Sequence, residues 1–193
     1  MPADLMELIF RWLHFLAGFT WIGLLYFLNL VNVPTMRVLD AAARPHVVTT
    51  QLPRTLFWFR HGAWATVLMG LILIWYKYWR FGRVFSDPPS ITITMGGLLG
   101  IIMMLNVWGI IWRNQKKIIA ATASGQAPDP SWGRVALYAS RANFALSFPM
   151  LLFMGGASHF SMGWDGVIIT GLITAVIGLL VVLTVQKWAA TKF

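Results

Sequence analysis

The chain has 193 residues, 58% of them hydrophobic and only 11% charged, with a mean hydropathy of +0.69; soluble domains carry charge on about a quarter of their residues, so lipid must surround most of this surface. Fifteen Lys and Arg against six Asp and Glu give a net charge of +9, but the basic residues sit mainly in short connections between apolar runs, which marks them as topology signals and excludes a nucleic-acid role. There is no cysteine, which excludes disulfides, thiolate metal centres, iron–sulfur clusters and thioether-linked haem in this sequence.

Five stretches meet the requirement of about 20 apolar residues for crossing the hydrocarbon core: roughly Leu8–Val31, Leu56–Tyr76, Ile91–Trp112, Val135–Ala157 and Val167–Val185. The first begins with Glu7 and Arg11, is too long for a signal peptide and precedes no small-residue cleavage site, so it reads as a span that is kept. Pro34 through Pro53 reads as the first loop, Lys77 through Pro89 as the second, Arg113 through Arg134 as the third, and Ser158–Gly166 as a short last connection without Lys or Arg. These elements predict one all-α domain over residues 1–193, a multi-pass helical bundle of the inner membrane. Loops one and three and the C-terminal segment hold Arg37, Arg44, Arg54, Arg113, Lys116, Lys117, Arg134, Lys187 and Lys192, against Arg11, Lys77, Arg80 and Arg83 on the other side. The positive-inside rule then puts the N-terminus outside and the C-terminus in the cytoplasm. Trp12, Trp58, Trp75, Trp79, Trp112, Trp132, Trp164 and Trp188 fall near span ends, where amphipathic rings favour the membrane interface.

Polar residues inside such spans need partners within the bundle. His14 lies about two turns into the first span, with Gly18 and Trp21 on the same face at i+4 and i+7. A glycine one turn from a histidine leaves room for a flat ring between helices, as a haem requires. His61 lies beside Arg60 in the second span, His159 follows the fourth, and His46 is in the first loop. Asn106 belongs to the third span and Arg141 and Asn143 to the fourth, where Pro149 also frees the carbonyl of Ala145. Each histidine also has a plainer role, as an interhelical hydrogen-bond partner or a solvated loop residue.

Depth restricts which histidines can share an iron. At 1.5 Å per residue His14 lies about 9 Å below one membrane face, and His61 about 8 Å from the other. Axial nitrogens stand only about 4 Å apart across an iron, so these two cannot share one. The fourth span returns to the side where the first begins, which lets His159 or Met154 face His14. On the opposite side His61 and His46 can approach, with Arg54, Arg60 and Arg141 available for propionates or another anion. The expected metal ligands are therefore His14, His159 and His61, for one haem b or for two, one in each leaflet.

Several motifs resemble the N-terminal membrane domain of the bacterial membrane-bound urate oxidases (urate hydroxylases). They are Arg11-Trp12-Leu13-His14-Phe15 through Trp21-Ile22-Gly23, Leu56-Phe57-Trp58-Phe59 with Gly70, Asn106-Val107, Asn114-Gln115-Lys116-Lys117, Ser140-Arg141 with Asn143, Pro149, and Ser158-His159. A looser likeness of the first span reaches membrane protoporphyrinogen oxidases and copper-resistance membrane proteins. The resemblance implies a redox membrane domain holding b-type haem, with His14 and His159 at matching positions. Members of that family carry a C-terminal cytochrome c domain that accepts electrons; no such domain is expected here, so the resemblance implies that another membrane or cytochrome protein takes them. Where the family has an aromatic residue after Trp58-Phe59-Arg60 this chain has His61, and where it has a histidine after Ser140-Arg141 this chain has Ala142. Three functions follow: a haem b electron-transfer subunit, a cofactor-free accessory subunit of a larger membrane complex, and an oxidase of a small heterocycle such as urate.

Overall fold

The computed structural model describes residues 3–192. All regular structure among them is helical, and it forms five rods long and apolar enough to cross a membrane. Helix α1 runs from Ala3–Tyr26 through a π-helical turn, Phe27–Asn32, into Val33–Val38. Helix α2 is Arg44–Lys77, followed by the 3-10 turn Trp79–Phe81. Helix α3 joins Pro88–Asn106, a second π-helical turn at Val107–Ile111, and Trp112–Ala123. Helices α4, Pro130–Gly156, and α5, Trp164–Lys192, complete the bundle.

The helices overrun the expected spans. Pro53 does not end a loop but lies inside α2, which starts nine residues earlier at Arg44, and the third loop is helical as far as Ala123. Proline in a helix interior costs one backbone hydrogen bond, and neighbouring turns absorb that cost in a long membrane helix. Alternation of the rods gives the bundle two ends. One carries the starts of α1, α3 and α5 and the ends of α2 and α4; the other, the basic end, carries Arg37, Arg44, Arg113, Lys116 and Lys117.

Helix α4 is the axis of the bundle. In its most apolar stretch 39% of residues are buried, against 17% in α5, so α5 lies at the rim and α4 carries the polar interior. Asn143 and Ser147 have no exposed surface, and neither has Asn29 of α1. The Asn106 side-chain amide donates to Asn143 Oδ1 at 2.7 Å and to the Ala139 carbonyl at 2.8 Å, while Asn143 Nδ2 donates to the Met103 carbonyl at 3.0 Å. Asn29 Nδ2 donates to Ser140 Oγ at 2.9 Å, and Tyr26 shares a 3.0 Å hydrogen bond with Ser147 Oγ. These bonds tie α1 and α3 to α4 by side chains that lipid cannot satisfy. The outer faces are apolar: Phe19, Phe160 and Leu172 are 76%, 74% and 67% exposed, as a lipid-facing surface requires.

The start of α3 is fixed by polar groups outside the apolar span. Asp87 Oδ1 accepts from the Ser90 amide at 2.9 Å and Ser90 Oγ accepts from the Asp87 amide at 3.1 Å, a reciprocal cap. Hydrogen bonds from Ser90, and then from Arg83 at 2.7 Å, hold the Asp87 carboxyl down at about 2. Because the folded value is lower than the ordinary carboxyl value of about 4, the cap contributes above that value and is lost as pH falls through about 2. Amide hydrogen exchange at the first turn of α3 is therefore expected to accelerate as pH is lowered towards 2, after correction for intrinsic rates, and Asp87→Ala should show that faster exchange already at neutral pH.

Candidate functional site: the His14 cavity

Helices α1 and α2 pack antiparallel at close range because glycines of α2 face α1. A Cβ on Gly62 would stand 3.3 Å from the Trp21 amide nitrogen and 3.4 Å from the Ala17 carbonyl. Two turns further along α2, a Cβ on Gly70 would stand 3.0 Å from His14 Cε1 and 3.2 Å from its Nδ1. The glycine against the imidazole is thus Gly70 of the opposite helix. Gly18, the expected one, faces the Thr66 methyl group at an ordinary 3.7 Å.

The imidazole is half-buried, and its Nδ1 lies 2.8 Å from the Thr66 carbonyl. A carbonyl only accepts, so Nδ1 carries the proton and, in the neutral ring, Nε2 keeps the lone pair. A backbone carbonyl on the far ring nitrogen is the usual device for orienting a histidine that ligates a metal.

His14 lines a cleft of about 150 Å³, open on one side, between α1, α2, α3 and α4. Its walls are mainly apolar, with Gly97 and Gly100 from α3 and Met150 and Met154 from α4. Arg11, Lys77 and Ser158 lie on the outer side. Glu7 pairs with Arg11 and stands 3.7 Å from Lys77 Nζ, so the opening keeps one net positive charge.

The structure sorts the expected site residues. Met154 shares the cleft with His14. His159 is exposed in the α4–α5 connection and is not among the lining residues, although Ala157 and Ser158 are. That connection is pinned to α3 by Thr92 Oγ1, which accepts from the Met162 amide at 2.7 Å. His46 and His61 do not come together: both belong to α2, fifteen positions apart, or about 22 Å along a helix. The expectation failed because the chain around His46 was read as a loop that could fold back. His61 Nδ1 is bonded to the Phe57 carbonyl of its own helix at 2.8 Å. The Arg60 guanidinium lies over Trp112, 3.9 Å from the ring centroid, while Trp108 Nε1 donates to the Arg60 carbonyl at 3.1 Å. Arg141 is half-buried with its Nε enclosed. Arg54 is exposed and donates to the Thr50 carbonyl. No group of three or more His, Asp or Glu gathers as a metal cluster among the described residues.

A family model described as urate oxidase N-terminal matches residues 77–192. The chain belongs to that family. No curated protein and no solved structure matches it. The matched region begins at the last residue of α2 and takes in all of α3, α4 and α5, with Asn106, Arg141, Asn143, Met154 and His159. It leaves out α1 and the body of α2, so His14 and Gly70 enter the site of this urate oxidase N-terminal domain from the unmatched part. The residues around the cleft offer a haem an oriented imidazole with a lone pair at Nε2, a thioether on α4, and cations on the outer side where propionates would emerge. Thr66 has no distinctive sequence signal, and Gly70 and Trp21 stand in the family resemblance without any sign that they line a cavity with His14.

Proposed function

We propose that this urate oxidase N-terminal domain is a membrane redox subunit that holds one haem b through His14 Nε2, with Met154 as the partner from α4. The observation that carries the reading is the hydrogen bond of His14 Nδ1 to the Thr66 carbonyl, since it fixes the tautomer and leaves Nε2 for the iron. When bound, haem supplies one-electron transfer. The chain's own part is to aim the imidazole, which packs against Gly70, and to place Arg11 and Lys77 at the opening for the propionates. Its electron partner is a separate membrane or cytochrome protein. A reduced-minus-oxidised spectrum of the purified protein tests this directly: b-type bands support it, and a colourless protein rejects it in favour of an accessory subunit.

The family description supports a second reading, oxidation of a flat heterocycle of the urate kind, because Arg11 and Lys77 offer cations to an organic anion at the cavity opening. Consumption of urate by membranes containing the protein, lost in Lys77→Ala, separates that reading from electron transfer alone.

The orientation belongs to the same proposal: N-terminus outside, basic end in the cytoplasm of a cell with the protein in its inner membrane. A reporter that is active only in the cytoplasm is expected to work when fused after Phe193 and to fail when inserted between Arg83 and Asp87. The opposite pattern refutes the assignment.

A further inference from the structure

The cavity has a deep end that His14 does not use. Trp21 lies seven positions further along α1, about 10.5 Å deeper by helix rise, and forms part of the cavity wall. It is 1% exposed, and its indole Nε1–H is buried without a hydrogen-bond partner. An indole nitrogen only donates, and leaving a donor unsatisfied in an apolar interior is costly enough that native structures rarely do so. The wall away from the opening includes Val67, Gly100, Ile101 and Met150 together with Thr66, whose hydroxyl already donates to the Gly62 carbonyl. A water there would find few of the two to four partners it needs.

We infer that the deep end of the His14 cavity binds the ring of a lipid-soluble quinone, one carbonyl of which accepts the Trp21 Nε1–H. Each part of that ligand is set by the wall facing it. The donor calls for an acceptor oxygen. The cations Arg11 and Lys77 sit on the outer side of the cavity, so the acceptor at Trp21 is a neutral carbonyl and not a carboxylate. Flatness follows from Gly100, where an added Cβ would meet nothing within 4 Å although the residue itself is buried; open space lies against bare backbone. Delivery from lipid follows from Phe15 and Leu71, which line the cavity and are 56% and 45% exposed on the lipid-facing surface. A molecule dissolved in hydrocarbon reaches the site without crossing water. The inference concerns binding and stands whether or not haem is held at His14.

The experiment uses the full chain in lipid nanodiscs with decylubiquinone and menadione as probes, binding being followed by equilibrium dialysis and haem content by absorbance on the same samples. Saturable binding of one quinone per chain is expected, with decylbenzene, which has no carbonyl, failing to compete. Trp21→Phe removes the donor and keeps an aromatic ring; it should weaken binding about 5–10-fold, the usual worth of one such hydrogen bond. Gly100→Leu fills the open space and should abolish binding, and it decides the matter if Trp21→Phe does not fold. Absence of saturable binding to the wild type overturns the inference, as does wild-type affinity in both variants. Quinone binding by a protein without haem would reject the haem proposal alone; haem without quinone binding would reject this one alone.

Discussion

Replacing His14 by alanine is expected to remove the haem altogether, one group per chain, while the protein still inserts and folds. The imidazole is half-buried and its one hydrogen bond goes to a helix carbonyl, so its loss leaves no buried charge behind. The carbonyl of Thr66 keeps the backbone partner that helix geometry gives it from Gly70. Haem content by absorbance, normalised to folded protein, is the measurement. His46→Ala should leave it unchanged, because His46 is exposed on α2 far from the cavity. The choice between Met154 and His159 is read in the same experiment. With Met154 opposite His14, Met154→Leu alters the spectrum and His159→Ala does not; the reverse result would restore the partner suggested by the sequence. Unchanged haem in His14→Ala rejects the ligand assignment.

Gly178→Leu is expected to be the most damaging single change in the packing of the bundle. A Cβ at Gly178 would stand 2.9 Å from the Ala145 carbonyl oxygen, 3.0 Å from Ala145 Cα and 2.8 Å from Phe148 Cδ2. Two of those three atoms are backbone, so they cannot swing aside. The geometry has a cause one turn on: Pro149 lies inside α4 and has no N–H to offer the Ala145 carbonyl. Only a glycine lets α5 lie directly over that freed oxygen, where weak Cα–H donation is available. Overpacking at such a point costs about 3 kcal/mol and should push α5 from its place. A lowered unfolding temperature in detergent and faster proteolysis within α5 are the expected readouts. Adding Phe148→Ala should not rescue the variant, because the backbone contact remains; full rescue would show that the side chain alone set the spacing.

Five helices were legible in the sequence because membrane spans are a statement about length and hydropathy, and both survive without tertiary information. Their ends were less so. Around Arg44 and Trp112 the chain is polar and reads as loop, yet α2 begins at Arg44 and α3 persists to Ala123, since helices that leave the bilayer no longer need apolar residues to continue. His14 and Met154 were within reach of the sequence, because helix order and rise per residue place both near one end of the bundle. Gly70 and Thr66 were not, because which face of α2 meets His14 depends on the crossing of the two helices. The stacking of Arg60 on Trp108 and Trp112 was not legible, because those rings come from α3, where the π-helical turn at Val107–Ile111 shifts the side-chain register. Proximity of His46 and His61 failed for a simpler reason, a loop that is a helix.

The length of α1 carries a last implication for how such a protein exchanges electrons. From His14 to Val38, the end of that rod, the axial distance is about 36 Å at 1.5 Å per residue. A haem held at His14 as proposed would lie beyond a single tunnelling hop from anything docked on the basic end. On that proposal charge would pass at the opposite surface, sideways from the lipid, or through a carrier seated in the deep end of the cavity.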